Sequence, residues 1–240
     1  MTIRRAMVLA AGHGRRMRPI TDSLPKPLVA VAGRAMIDRI LDRLAAAGVE
    51  EAVVNAHHLA PVLLRHLEVR SGPPAIHVSP EEELLDTGGG VAQALPLLGP
   101  EPFFLANSDT AWRDPAPGAF ARLAAAWDGG AMDGLLLLCP RDVAFGYDGP
   151  GDFLMAEDGR LHRASGTAGT LVFMGLQILH PRLFEGAPRG AFSLNRLYDR
   201  AIAAGRLFGL GHTDRWYHVG TPEALHAVEA EIARDGGLDA

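Results

Sequence analysis

The stretch AMVLAAGHGRRMRP, residues 6–19, decides how the first half of this chain folds. Its apolar start, residues 6–10, has the length and composition of a buried strand, and two glycines then turn it into a loop. Glycine allows backbone N–H groups to approach a phosphate closely, and Arg15, Arg16 and Arg18 add positive charge beside them. The stretch therefore predicts a first strand that ends in a loop suited to a triphosphate.

Strand-like and helix-like segments alternate through the rest of the chain. In residues 36–47, for example, Ile37, Ile40 and Leu44 share one face and Gly48 supplies the stop. Alternation of this kind, with strands apolar on both faces, predicts an α/β fold with a Rossmann-like, mostly parallel sheet flanked by helices. The predicted strands are residues 6–10, 51–55, 75–79, 102–107, 134–139, 170–179, 206–210 and 216–219, and the predicted helices are 36–47, 61–69, 88–98, 118–127, 193–204 and 222–234.

One segment interrupts the alternation. Residues 140–169 are rich in glycine, aspartate and proline, which is typical of a loop or hairpin insertion. We interpret residues 1–240 as a single domain with a small lid insertion over its site, at about 140–170.

Composition narrows the class of protein. The 240 residues are 48% hydrophobic and 21% charged with a net charge of −5, as in a globular enzyme without a broad nucleic-acid-binding face. The single cysteine, Cys139, excludes an internal disulfide and a multi-cysteine metal site. No signal peptide is recognisable and no apolar run approaches the ~18 residues of a membrane span. We expect a cytoplasmic protein with no membrane partner, either monomer or dimer.

Lys26 stands out among the basic residues. Lysine and arginine together number 23, and Lys26 is the only lysine. It lies between Pro25 and Pro27, close in sequence to the arginines of the glycine loop. A compact ammonium group is not interchangeable with a planar guanidinium where geometry is tight, so we expect a functional role for Lys26. The alternative is the chance retention of one lysine in an arginine-rich chain.

Three well-known glycine loops do not fit this sequence. A dinucleotide-binding loop requires glycine where Met17 stands, and a Walker loop requires Ser or Thr after the lysine, where Pro27 stands. The His-Arg-Asp and Asp-Phe-Gly motifs of protein kinases do not occur. The remaining alternatives are a different nucleotide loop or a plain glycine turn with solvated arginines.

The loop resembles the signature G-x-G-x-R-x-x-P-x-T-x-x-x-P-K-P-L of the nucleoside-diphosphate-sugar pyrophosphorylases, a family of sugar-phosphate nucleotidyltransferases. Further motifs of the family follow in its usual order: residues 87–90, 107–109, 151–153, 169–170 and 219–221. Within the family, the Thr-Gly-Gly-Gly run of residues 87–90 and the end of the chain soon after residue 221 resemble the short uridylyltransferases of bacterial cell-wall recycling. The resemblance implies a GT-A-like nucleotidyltransferase fold with UTP and a sugar 1-phosphate as substrates.

The resemblance also implies roles for particular residues. The backbone around Ala11, Gly12 and Gly88 would hold the pyrimidine, with Glu81 and Glu82 beside it. Gly14 and Arg15 would belong to the phosphate loop, Arg16 would hold the β- and γ-phosphates, and Lys26 would neutralise the region of the α-phosphate. On the sugar side, Asp152 would hold hydroxyl groups, and Gly169 and Thr170 would line the pocket.

Asn107 ends a predicted strand, and Asp109 follows it. The resemblance implies that Asn107 lies near the nucleotide and that Asp109 binds Mg²⁺, which makes Arg16, Lys26 and Asp109 the catalytic set. Independently, Asp109 projects from the carboxyl end of an apolar strand, where open α/β sheets bind ligands, and Mg²⁺ prefers carboxylate and phosphate oxygens. The alternatives are a capping or turn aspartate for Asp109 and a solvated loop aspartate for Asp152.

The sequence departs from the family pattern at two positions. Ser108 replaces a glycine, which we expect to be harmless because serine is small. His218 occupies the position of the family's second metal-binding aspartate, so it is either a metal ligand or a structural histidine. An imidazole ligand would make Mn²⁺ a possible alternative to Mg²⁺. The alternatives for function are another nucleotide and sugar pair, such as dTTP or GTP with glucose, mannose or heptose 1-phosphate, and a sugar-nucleotide-binding regulator without turnover.

Overall fold

The computed structural model of the protein describes residues 2–164 and 168–238. The strands are β1 (Arg5–Leu9), β2 (Ala30–Val31), β3 (Arg34–Ala35), β4 (Glu51–Ala56), β5 (Ala75–Pro80), β6 (Phe103–Asn107), β7 (Thr110–Trp112), β8 (Gly134–Pro140), β9 (Ala144–Phe145), β10 (Phe153–Met155), β11 (Leu161–Arg163), β12 (Leu171–Leu179), β13 (Leu207–Gly211) and β14 (Trp216–His218). The α-helices are α1 (Met36–Ala46), α2 (Ala60–Glu68), α3 (Asp86–Leu98), α4 (Ala119–Ala126), α5 (Asn195–Ala203) and α6 (Pro222–Arg234). Short 3₁₀ turns occupy Arg15–Met17, Ile20–Asp22, Lys26–Leu28 and Pro181–Phe184.

Within the described residues, the main sheet has nine strands, and its ordered path is β11-β10-β12-β6-β1-β4-β5. The strands β6, β1, β4 and β5 are parallel, and β8 with β13 forms a second parallel pair that branches from β12. The predicted α/β architecture is confirmed. Strand β12 is antiparallel to both β6 and β8, so the two parallel blocks are joined into a mixed sheet.

The register of β12 shifts between Phe173 and Gln177. Gly175 lies at this shift with a φ of +82°, a left-handed conformation that L side chains rarely adopt. A Cβ atom on Gly175 would come within 2.8 Å of the Asn107 side-chain nitrogen. The bulge therefore leaves room for Asn107 at the end of β6.

The helices cover the sheet on both faces. Buried side chains of α1, α2 and α4 form one hydrophobic cluster, and those of α3 and α5 form a second. The stripe predicted on α1 is buried, since Ile37, Ile40 and Leu44 have no exposed surface. Full burial of such a side chain stabilises the fold by about 2 kcal/mol. A third cluster joins α6 to the loop region through Met17, Val29 and Tyr217.

The predicted insertion contains a hairpin that is joined to the main sheet. Strands β10 and β11 form an antiparallel hairpin that adds to the main sheet beside β12, and β9 pairs instead with β14 in a small separate sheet. Phe153 of β10 pairs with Leu171 of β12, and this contact joins the hairpin to the sheet. Residues 165–167 of the predicted insertion lie outside the described residues.

The longest helices in the described part of the chain, α3 and α6, have 13 residues each. No helix of residues 2–164 and 168–238 is long and apolar enough to cross a bilayer.

Candidate active site

A cavity of about 470 Å³ opens where β1 and β6 end. Because these strands are parallel neighbours, with Leu9 opposite Asn107, the loops that follow them meet at the same edge of the sheet. The structure brings the following predicted site residues together in the wall of this cavity: Ala11, Gly12, Gly14, Arg15, Arg16, Lys26, Asn107 and Asp109.

The glycine loop is held by contacts around Gly14. Gly14 has a φ of +61°, and its carbonyl accepts hydrogen bonds from the buried Thr21 hydroxyl at 2.9 Å and from the Met17 amide at 2.8 Å. A Cβ atom on Gly14 would lie 3.0 Å from the Thr21 methyl carbon and 3.1 Å from Lys26 Cβ. Glycine at this position therefore allows both the turn and the close approach of the Lys26 segment.

Lys26 forms an ion pair with Asp109 inside the cavity. The Lys26 ammonium donates to Asp109 Oδ2 at 2.7 Å. The Lys26 side chain is only 11% exposed, whereas that of Asp109 is 39% exposed. The pair therefore presents a fixed ammonium group and an accessible carboxylate at the same point in the cavity.

Asn55 and Glu81 support the cavity from behind, and Asn55 was not predicted as a site residue. The Asn55 side chain accepts from the Ala10 amide and donates to Glu81 Oε1, each at 2.7 Å, while Glu81 Oε2 accepts from the Leu85 amide. Both side chains are buried. The available signal was Asn55 itself, an amide at the carboxyl end of an apolar strand.

Glu82, predicted beside the pyrimidine, is exposed and does not line the cavity; its buried neighbour Glu81 lines it instead.

Gly88 is not in the cavity wall, which corrects the role implied by the resemblance. Its amide donates to the Phe192 carbonyl at 2.8 Å, and a Cβ atom there would come within 2.3 Å of the Phe192 ring. Gly88 lets α3 pack closely against the segment before α5, so its backbone N–H is already used by another residue of the chain. Asp86 and Thr87 contribute to the wall instead.

The mouth of the cavity is positively charged. Arg15 and Arg16 are exposed there, and neither forms an ion pair with a carboxylate within residues 2–164 and 168–238. His13, which sequence analysis did not single out, also lines the cavity, and its ring centroid lies 5.6 Å from that of His57 and 5.2 Å from that of His58. Burial, followed by the charge of Arg15, lowers the pKa of His13. These groups suit an anionic ligand.

His218 lies beside the cavity without lining it, and strand pairing places it there. Strand β14 is antiparallel to β7, with His218 opposite Thr110, the residue after Asp109. Its Nε2 atom faces Gly220, where a Cβ atom would lie 2.8 Å away, and Gly220 lines the cavity. Burial lowers the pKa of His218, with further lowering by Lys26 and Arg16, so protonation of the imidazole is disfavoured.

No group of three or more His, Cys, Asp or Glu side chains that could hold a metal ion occurs within the described ranges. Asp109 is the accessible carboxylate next to Lys26 in the cavity wall. Since Mg²⁺ is commonly bound by one or two carboxylates together with substrate phosphates, this arrangement fits a metal that arrives with the nucleotide.

A second cavity of about 210 Å³ adjoins the first, and Asp86, Thr87 and Asn107 belong to the walls of both. Asp152 lies in the second cavity, where its Oδ2 accepts from the Phe173 amide at 2.8 Å. Gly169 and Thr170 do not line either cavity, in contrast to the prediction. Thr170 is buried, and its hydroxyl donates to the Pro150 carbonyl at 2.7 Å.

Comparison with known proteins agrees with this geometry. Residues 5–147 match the family model described as Nucleotidyl transferase. The chain belongs to the nucleotidyl transferase family. It is 44% identical over 95% of its length to the N-acetylmuramate alpha-1-phosphate uridylyltransferase of Caulobacter vibrioides, of which it covers 96%. It is 34% identical over 94% of its length to the enzyme of the same name from Neisseria meningitidis serogroup B, of which it covers 97%.

A solved structure of UDP-glucose pyrophosphorylase complexed with UDP-glucose has the same fold as this nucleotidyl transferase. The TM-score is 0.80 at 14% identity, over 97% of this chain and 99% of that one. The predicted nucleotidyltransferase fold is therefore confirmed, and the chain is an enzyme of nucleotidyl transfer.

Proposed function

We propose that this enzyme transfers the uridylyl group of UTP to N-acetylmuramate 1-phosphate, forming a UDP-sugar and pyrophosphate. The printed names of the two relatives support this choice of substrates. The observation that carries the proposal is the meeting of two cavities at Asn107, beside the Lys26–Asp109 pair. Such a meeting suits a reaction in which two phosphorylated substrates join. By the same similarity, we propose a cytoplasmic role in peptidoglycan recycling.

In this proposal the larger cavity takes UTP. The pyrimidine lies against the backbone of Ala11 and Gly12, in front of the buried Asn55–Glu81 pair. The triphosphate lies toward Arg15 and Arg16, whose guanidinium groups are not neutralised by carboxylates of the described chain. Forked guanidinium donors match phosphate oxygens in pairs, which favours this direction of binding.

The smaller cavity takes the sugar. Its volume of about 210 Å³ suits one sugar ring with its substituents, and its wall offers Asp152 as a hydrogen-bond acceptor for hydroxyl groups. Since Asn107, Asp86 and Thr87 border both cavities, a sugar held there has its 1-phosphate directed at the nucleotide. The geometry favours direct transfer between two substrates bound side by side.

The chemistry follows from this arrangement. An oxygen of the sugar 1-phosphate forms a bond to the α-phosphorus of UTP, the bond from that phosphorus to the bridging oxygen breaks, and pyrophosphate leaves with the electron pair. Lys26 stabilises the negative charge that develops at the α-phosphate, and Arg16 holds the leaving pyrophosphate. Positioning and charge stabilisation are sufficient, so no covalent intermediate with the enzyme is required.

We propose Mg²⁺ as the cofactor, with Mn²⁺ as a possible substitute, and Asp109 as the residue that holds it. The ion would neutralise phosphate charge when bound. Asp109 fits this role because its carboxylate is accessible in the cavity. Only one of its two oxygens, Oδ2, accepts the hydrogen bond from Lys26. Neutral His218 would contribute a weaker, nitrogen ligand or a contact through water.

A panel of substrates tests the proposal. Pyrophosphate release should be measured for UTP, CTP, GTP and dTTP, each with the 1-phosphates of N-acetylmuramate, N-acetylglucosamine, glucose and mannose. We expect UTP with N-acetylmuramate 1-phosphate to give the highest kcat/KM. Equal or better turnover of GTP with mannose 1-phosphate would reject the uridylyl assignment but not the assignment to the nucleotidyl transferase family. No turnover with any pair would indicate a binding protein.

A further inference from the structure

The second cavity contains a buried side-chain amide with an unused donor. Gln177 is 1% exposed and lines this cavity, and its Nε2 atom has no hydrogen-bond partner among the described residues. Most buried polar side-chain atoms in proteins are hydrogen-bonded, so an unpaired one in a substrate cavity indicates a partner that arrives with the ligand.

Two features of the fold fix this amide. Gln177 lies on β12 in register with Leu105 and Leu136, and its side chain is on the same face as Leu179, toward α5. From α5, the buried Tyr198 hydroxyl donates to Gln177 Oε1 at 2.8 Å. Because the amide oxygen is engaged in this way, the Nε2 donors are held in one direction before any ligand binds.

The cavity around Gln177 selects the kind of acceptor. Its charged groups include the carboxylates of Asp86 and Asp152, which disfavour a further carboxylate as the direct partner of the Gln177 donor. The one cation in the wall within the described chain, Arg163, is already paired with Asp199 at 2.7 Å and with the Asn195 side chain at 2.9 Å. An uncharged oxygen is therefore the better partner for Gln177.

Apolar surface lies in the same wall. Phe153, Phe173 and Leu194 line the cavity beside Gln177. A planar amide substituent with a carbonyl oxygen and a methyl group matches a fixed N–H donor with aromatic and aliphatic neighbours.

We propose that Gln177 is a specificity-determining residue that donates a hydrogen bond to the carbonyl oxygen of a 2-acetamido group on the sugar 1-phosphate. This inference rests on the proposed function and adds to it the residue that distinguishes acetamido sugars from plain hexoses. A site built to donate a hydrogen bond discriminates strongly against a substrate without the acceptor, because its buried donor then stays unpaired.

The variant Gln177→Met tests the proposal, since methionine has a similar length and no donor. N-acetylglucosamine 1-phosphate and glucose 1-phosphate differ in the acetamido group, so the ratio of their kcat/KM values with UTP isolates its contribution. We expect the wild type to favour the acetamido sugar by at least about tenfold, and Gln177→Met to reduce that ratio by about tenfold or more. The KM for N-acetylmuramate 1-phosphate should rise, and the KM for UTP should stay unchanged.

Two controls keep the result interpretable. Gln93→Met changes a glutamine that lines neither cavity, and the double variant Gln177→Met/Tyr198→Phe removes both members of the buried hydrogen bond. Replacement of both partners by apolar groups of similar shape is close to neutral, so the double variant should fold with a Tm near that of the wild type and still lack selectivity.

An unchanged acetamido-to-hexose ratio in a folded Gln177 variant would overturn the inference, and so would equal losses with both sugars. A wild type that turns over no sugar 1-phosphate would instead reject the proposed function. The two failures are therefore distinguishable.

Discussion

Lys26 Nζ and Asp109 Oδ2 lie 2.7 Å apart, although 83 positions separate the two residues in the chain. The contact follows from the fold: β1 and β6 are parallel neighbours, and the loops after them carry Lys26 and Asp109 to one edge of the sheet. An ammonium group and a carboxylate are therefore positioned together in the cavity before any ligand binds.

Lys26→Arg should reduce kcat/KM at least about tenfold, which corresponds to about 1.4 kcal/mol of transition-state stabilisation. The Lys26 side chain is nearly enclosed, so a wider guanidinium cannot occupy its place beside Asp109. Steady-state kinetics with UTP would measure the loss. Arg34→Lys, at an exposed position in β3, serves as the control. Wild-type kinetics for Lys26→Arg would remove this lysine from the catalytic set.

Gly14→Ala should destabilise the protein more than Gly33→Ala. Both glycines have positive φ, so each substitution introduces left-handed strain of about 1–2 kcal/mol. The Cβ atom meets Thr21 and Lys26 only at Gly14, whereas Gly33 has open space around it. We expect a further loss of at least about 1 kcal/mol for Gly14→Ala in urea unfolding, with loss of activity. Equal stabilities would show that the Thr21 and Lys26 contacts do not constrain the loop.

Asn55→Leu should reduce the free energy of unfolding by at least about 2 kcal/mol. The substitution leaves the Ala10 amide and Glu81 Oε1 without their partners in a buried position. Gln93→Leu is the matched control, because Gln93 donates at the protein surface, to Ser79 and the Pro80 carbonyl. If the two variants were equally stable, the buried network would not support the glycine loop.

His218→Asp should increase the apparent affinity for Mg²⁺ in activity titrations. A second carboxylate near Asp109 adds negative charge and an oxygen ligand, both of which Mg²⁺ favours. The wild type, which has an imidazole at this position, should accordingly use Mn²⁺ well relative to Mg²⁺. His226→Asp, at an exposed position on α6, controls for net charge. An unchanged metal dependence for both His218→Asp and His218→Ala would make His218 a packing residue against Tyr147 and Trp216.

Stability should fall in mild acid because of His212. Burial, followed by the charge of Arg122, lowers the pKa of His212 from 6.5 to about 4. The unfolded state therefore binds the proton more readily: the stability is fully present above pH 6.5 and is lost as pH falls toward about 4.

Urea unfolding at about pH 7.5 and about pH 5 should show a loss of up to about 2 kcal/mol in the wild type, and a smaller loss in His212→Asn. His226→Asn should behave like the wild type, because His226 is exposed. An identical pH dependence for His212→Asn and the wild type would contradict the assignment to His212.

Much of the fold could be predicted from periodicity. The helix predicted at residues 222–234 is observed with the same bounds, and the other helices and the main strands differ from prediction by one or two residues at an end. The direction of β12 and the attachment of the β10–β11 hairpin could not be predicted, because strand order and direction depend on contacts distant in sequence.

Site residues could be predicted where they belong to a sequence motif. They could not be predicted where their role depends on which residues pack against them. Arg16, Lys26 and Asp109 lie in one cavity, as their motifs indicated. Gly88 carries an equally clear motif, yet its amide serves the Phe192 carbonyl, a partner that spacing cannot reveal. Gln177 has no motif, and its unused donor is evident only once Tyr198 and the surrounding cavity are in place.

We propose that two adjoining cavities bring UTP and an acetamido sugar 1-phosphate together for direct transfer. Phosphorus NMR of the wild type with UTP, N-acetylmuramate 1-phosphate and Mg²⁺ tests it most directly. We expect the signals of a UDP-sugar and of pyrophosphate to grow in equal amounts, and to be strongly reduced with Lys26→Ala. Hydrolysis of UTP without a UDP-sugar, or equal product formation by Lys26→Ala, would contradict the account.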